Sequence, residues 1–110
     1  MPRLAIALTT THDRAAALSL GRAVVRDSLA ACATIVPGAR SIYRWKGALE
    51  EMDEAVVLIK TTAASLPALR RRLRALHTDE LPEDLALAAT AGSAYARWVG
   101  ESTKRRKRPR

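Results

Sequence analysis

The spacing of apolar and polar residues changes period several times along the chain, and each change marks an element. Residues 3–10 alternate, which places Leu4, Ile6 and Leu8 on one face of a strand. Thr11 and Asp13 then offer helix N-caps, and residues 14–31 carry a helical period. Ala17, Leu20, Val24 and Ser28 form its main stripe, with Leu18, Val25 and Leu29 beside it. Gly21 inside this helix costs about 1 kcal/mol relative to Ala, which predicts a compensating close approach to a sheet. Residues 33–36 and 41–45 read as two pieces of one strand interrupted by Pro37-Gly38. Proline within strands is confined to edges and bulges, so a kink is expected there and not a reversal. Lys46-Gly47 provides the turn, and residues 50–61 the return strand.

The next helix spans residues 65–77, with Pro67 in its first turn and Leu66, Leu69, Leu73 and Leu76 along one stripe. Arg70, Arg71, Arg72 and Arg74 spread around the remainder, the pattern of a solvated helix surface. Pro82 forces an extended entry to a strand over residues 84–90. Ala91-Gly92-Ser93 turns into a short helix over 94–101 that carries Tyr95 and Trp98. The order β-α-β-β-α-β plus a terminal helix is the split βαβ plan: an α+β, ferredoxin-like βαββαβ sandwich with an extended β-hairpin. Two helices cover one face of a four-stranded antiparallel sheet and leave the other open. An open face and an overhanging hairpin together predict association through strands.

Composition alters this picture in two ways. At 110 residues the chain holds one domain, and with no Phe and 4% aromatics its core must be built from Leu, Ile, Val and Ala. The net charge of +8 suggests a nucleic-acid partner, yet six of the positive charges lie in residues 104–110, KRRKRPR, leaving +2 on residues 1–103. The expected organisation is therefore a domain over 1–103 and a basic, solvated tail over 104–110, through which RNA, DNA or anionic lipid could be held by phosphate neutralisation. No apolar run reaches the roughly 20 residues that span a bilayer, and one cysteine agrees with a reducing, cytoplasmic compartment.

Several chemistries lack their residues. Base-stacking aromatics are missing from the central strands, an iron–sulfur protein needs four cysteines where one is present, and the five glycines are isolated from one another. His12 and His77 are the only histidines, and neither sits in a nucleophile-elbow context. Cys32 and His77 are soft enough for copper or zinc. They are expected at the ends of the first and second helices, able to approach the same sheet edge. A complete site would need carboxylates such as Asp79, Glu80 or Glu83, or a neighbouring subunit. The alternatives are a small buried cysteine at a helix–strand junction and a histidine interacting with a helix macrodipole.

The segment Leu29-Ala30-Ala31-Cys32, Ile35-Val36-Pro37-Gly38 and Ser41-Ile42-Tyr43-Arg44-Trp45-Lys46-Gly47 resembles the signature of the CutA divalent-cation tolerance family. Leu58-Ile59-Lys60-Thr61, Leu76-His77, Glu80-Leu81-Pro82-Glu83 and the closing Tyr95, Trp98 and Val99 are similar to its later motifs, so the resemblance covers residues 4–100. It implies a non-enzymatic, ferredoxin-like protomer that assembles as a homotrimer through its hairpin strands and binds copper or other divalent ions. Cys32 and His77 carry over as metal ligands, with Glu80 as a third. Three departures accompany it. Leu8-Thr9-Thr10-Thr11 has no thiol where the fullest family sites place one, His77-Thr78-Asp79-Glu80 lacks a tyrosine, and Asp84 replaces an apolar residue. The alternative function is a trimeric signalling or scaffold protein whose inter-subunit clefts, with Arg44, Trp45, Lys60, His77 and Glu80, bind a small ligand or partner without metal.

Overall fold

The computed structural model describes residues 2–104. Seven elements follow the expected order: β1 (Leu4–Thr11), α1 (Arg14–Arg26), β2 (Cys32–Trp45), β3 (Ala48–Thr62), α2 (Leu66–Leu76), β4 (Leu85–Ala89) and α3 (Ser93–Ser102). The strands form one antiparallel sheet in the order β2-β3-β1-β4, the ferredoxin-like arrangement. The expected basic tail falls beyond Lys104, outside the described residues, except for Lys104 itself, which reaches back to Glu101 at 3.2 Å.

α1 starts where the Asp13 carboxylate accepts the Ala16 N–H at 2.8 Å. It stops at Arg26, five residues earlier than its apolar period suggests. Ser28 adopts φ +58°, Leu29 N–H donates to the Val24 carbonyl and Ser28 N–H to that of Val25, each at 3.0 Å. This is a Schellman cap with serine in the position usually held by glycine. Cys32 is consequently the first residue of β2 and not the end of a helix.

α1 and α2 cover one face of the sheet. Ala7, Ala17, Leu20, Val24, Ala55, Val57, Ile59 and Leu69 make the core between them. Ala33 Cβ and Ile35 Cδ1 would lie 3.2 and 3.3 Å from a Cβ at Gly21, so the glycine lets α1 approach β2 closely, as expected. The helix-facing side of β1 carries Ala5, Ala7, Thr9 and Thr11, whereas Leu4, Ile6 and Leu8 point to the opposite face. There α3 covers only one end, packing Ala96 and Val99 on Leu4 and Ala31.

The rest of that second face is a broad apolar surface. Its cross-strand rows read Leu87–Ile6–Lys60–Cys32, Leu85–Leu8–Leu58–Thr34 and Thr10–Val56–Val36. Leu85 and Leu87 are more than half exposed. Beyond the Thr11–Ala55 pair, β2 and β3 continue as a two-stranded arm that no other strand among the described residues joins. Val36 pairs with Val56 and Ala39 with Glu54, so Pro37 and Gly38 stand together opposite Ala55. The predicted kink is thus a β-bulge, with Gly38 at φ +79°. Lys46 and Gly47, at φ +49° and +81°, close the arm as a two-residue turn.

Candidate functional site

The two soft donors lie apart within the protomer. Cys32 pairs with Lys60, which pairs in turn with Ile6, while the His77 ring reaches the carbonyl of Thr10, four residues further along β1. Two strand spacings and four strand residues put the two sites about 16 Å apart. The Cys32 sulfur lies 3.8 Å from the Lys60 ammonium and 3.8 Å from the Thr34 hydroxyl, to which Lys60 also donates.

His77 ends α2 and its side chain is only 3% exposed. Its Nε2 lies 2.7 Å from the Thr10 carbonyl, and its Nδ1 accepts the Asp79 N–H at 3.1 Å. An acceptor at Nδ1 and a carbonyl at Nε2 are both satisfied by the neutral tautomer protonated on Nε2. Metal binding at either nitrogen requires one of these bonds to break. The ring ties the start of the 77–84 loop to the end of β1.

That loop and the hairpin arm enclose a cleft of about 690 Å³. Tyr43, Trp45 and Met52 line it from the hairpin and Leu81 from the loop, with Glu54, Asp79, Glu80 and Glu83 interspersed. Arg44 is the one cation in its lining among the described residues. The Lys46 ammonium lies 5.7 Å from the centre of the Trp45 ring. Burial, reinforced by the charge of Glu54, holds the Glu83 carboxyl above its ordinary range. Its sequence neighbour Asp84 behaves oppositely. Arg70 donates to both its oxygens, at 2.8 and 3.0 Å, and holds its pKa below the ordinary value. The polar residue at this position is thereby accommodated by a guanidinium on α2.

Of the five cleft residues expected from sequence, Arg44, Trp45 and Glu80 line the cavity, His77 anchors its loop, and Lys60 stands beside Cys32 outside the lining. Glu54 was not among the expected residues. Its signal was an acidic residue immediately preceding the apolar run 55–59, on a strand whose face only the pairing register assigns. Among the described residues no three His, Cys, Asp or Glu side chains converge to hold one ion. With both His77 nitrogens engaged and a cation beside Cys32, one protomer does not by itself fit a divalent metal.

The family model described as CutA1 divalent ion tolerance protein matches residues 5–102. The chain belongs to that family. A divalent-cation tolerance protein CutA of Thermus thermophilus is 40% identical over 99 residues, covering 89% of this chain and 96% of the relative. That of Citrobacter koseri is 38% identical over 105 residues, covering 94% and 91%. The crystal structure of CutA from Xylella fastidiosa superposes with a TM-score of 0.88 at 37% identity, covering 92% of this chain and 98% of that one. The Thermus thermophilus Cut A1 structure gives 0.87 at 39%, covering 92% and 99%. Membership and the ferredoxin-like fold expected from the sequence both hold for this CutA1-family chain.

Proposed function

We propose that this CutA-family protein is a non-enzymatic homotrimer that contributes to divalent-cation tolerance in the cytoplasm, taking up copper or a similar ion at sites completed between protomers. The observation that carries this reading is the half-open sheet. Leu85, Leu87, Val36 and the outer surface of the hairpin arm expose more apolar area than one protomer covers, and β2 and β4 leave two strand edges free to pair. In this reading Cys32 supplies a soft donor on the face that another copy covers, and Glu80 a carboxylate from the cleft loop. His77 holds that loop in place and becomes a ligand only by giving up a hydrogen bond. The relatives' shared description as divalent-cation tolerance proteins supports the cation.

Light scattering combined with copper titration tests both halves. A stable 12.0 kDa species would refute the assembly. Specific copper binding that survives unchanged in Cys32→Ser would remove the thiol from the site, and its loss in Leu87→Asp together with the trimer would place it between protomers.

The second reading, a trimer whose clefts take a small ligand or partner, is favoured by the roomy cavity with Trp45, Glu54, Glu80 and Glu83 on its wall. Ligand-dependent thermal stabilisation without a metal response would select it.

A further inference from the structure

The carboxylates of the cleft differ from most of the others in this chain. Asp27, Glu51, Asp53, Asp84 and Glu101 each hold an Arg or Lys within 4 Å. Glu54, Glu80 and Glu83 hold none among the described residues, although the protein carries a net charge of +8. Partial burial and the like charge of Glu54 both raise the Glu83 pKa, so added positive charge is favoured at this wall. These side chains are too dispersed for three of them to share one ion. A string of cations spaced along a peptide matches such a wall better than a point charge does. Trp45 adds an aromatic face of the kind that guanidinium groups stack on.

The chain supplies such a string in residues 104–110, KRRKRPR. Its starting point is fixed: α3 ends with Gly100 against Pro2, where a Cβ would lie 3.0 Å from the ring, at the β1 end opposite the cleft. From Pro2 to Thr10 is about 26 Å of strand. Seven fully extended residues span at most about 25 Å, so the backbone of the segment falls short of the protomer's own cleft.

We propose that the basic segment 104–110 docks in the acidic, aromatic-lined cleft of a neighbouring copy. Lys and Arg side chains lie against Glu54, Glu80 and Glu83, and the segment acts as a built-in competitor for whatever cation or ligand the cleft receives. This rests on the trimeric reading, which light scattering on the same samples checks separately.

The test is zero-length carbodiimide coupling of the full chain, assembled from a mixture of unlabelled and 15N-labelled copies, with mass spectrometry of the products. The expected result is amide linkage of Lys104 or Lys107 to Glu54, Glu80 or Glu83, in peptides that pair one labelled with one unlabelled copy. High salt and the double variant Glu54→Gln/Glu83→Gln should each lower the remaining Glu80 linkage, the latter about tenfold, as expected for losing two partly desolvated charge contacts. Linkages within a single copy, or only to Glu50, Glu51 or Glu101, overturn the proposal in an intact trimer. So does a Glu80 yield unchanged in the double variant. Tail-dependent binding to RNA or anionic vesicles without any cleft linkage overturns it in favour of an external polyanion.

Discussion

Replacing His77 by alanine separates an anchor from a ligand. The substitution leaves the Thr10 carbonyl and the Asp79 N–H without their partners, the first part-buried and the second at the surface. Water can reach the exposed amide, so that bond contributes at the low end of the usual range, about 0.5 kcal/mol, and the part-buried one about 1.5 kcal/mol. Removing a ring that is 3% exposed leaves a small void, which raises the total to roughly 2–3 kcal/mol. Urea unfolding at fixed protein concentration reads this value, because an associating protein otherwise shifts its midpoint with dilution. Amide exchange at Asp79 should accelerate at the same time. A loss below about 0.5 kcal/mol, with copper affinity abolished, would refute the anchoring argument and make His77 a ligand first. The roughly 2–3 kcal/mol loss, with copper binding retained in the folded protein, is the expected pattern.

Three further outcomes follow from the backbone and the charges. Ser28→Gly relieves a left-handed serine in the α1 cap and should stabilise the protein by about 0.5–1 kcal/mol in the same assay. No change would mean that the serine makes an offsetting contact. Gly47→Ala has open space around its Cβ but φ +81°, so any loss, about 1 kcal/mol, comes from backbone strain alone. Gly47→Asn should recover most of it. Asp84 has its pKa depressed below 3.8 chiefly by the Arg70 hydrogen bonds. Its contribution is therefore complete above that ordinary value and lost as pH falls through the depressed one. The stability gap between the native chain and Asp84→Asn should hold from pH 7 to about 5 and close towards pH 3. A gap that is constant down to pH 2 would contradict the sign.

The order of elements was legible because period, caps and turn residues agree along most of the chain, and β1, α2 and β4 fall within a residue of their expected limits. The end of α1 was not, and the reason is local. In a Schellman cap the residue after the left-handed position folds back on the last helical turn, so Leu29 joins Val24 in the core and extends the apolar period past the helix. That masked stop moved Cys32 from a helix end to the edge of the sheet. His77 kept its expected place at the end of α2, yet its distance from Cys32 is set by strand register, which sequence spacing does not encode.

The cleft depends on the same kind of hidden count. Before the bulge, Cys32, Thr34 and Val36 share the open face; after it, Ala39, Ser41, Tyr43 and Trp45 do, because Pro37 and Gly38 occupy one position opposite Ala55. The bulge therefore exchanges even for odd residues along β2 and brings Tyr43 and Trp45 to the same face as Glu54. Deleting Gly38 should restore simple pairing, Pro37 opposite Ala55, and leave Ala39, Ser41, Tyr43 and Trp45 on the open face. In a Trp98→Phe background, Trp45 emission should then keep whatever sensitivity it has to Glu54→Gln and Glu83→Gln. If that sensitivity is lost on the deletion, the face of the arm is set by the bulge backbone and not by the register of β2 on β3.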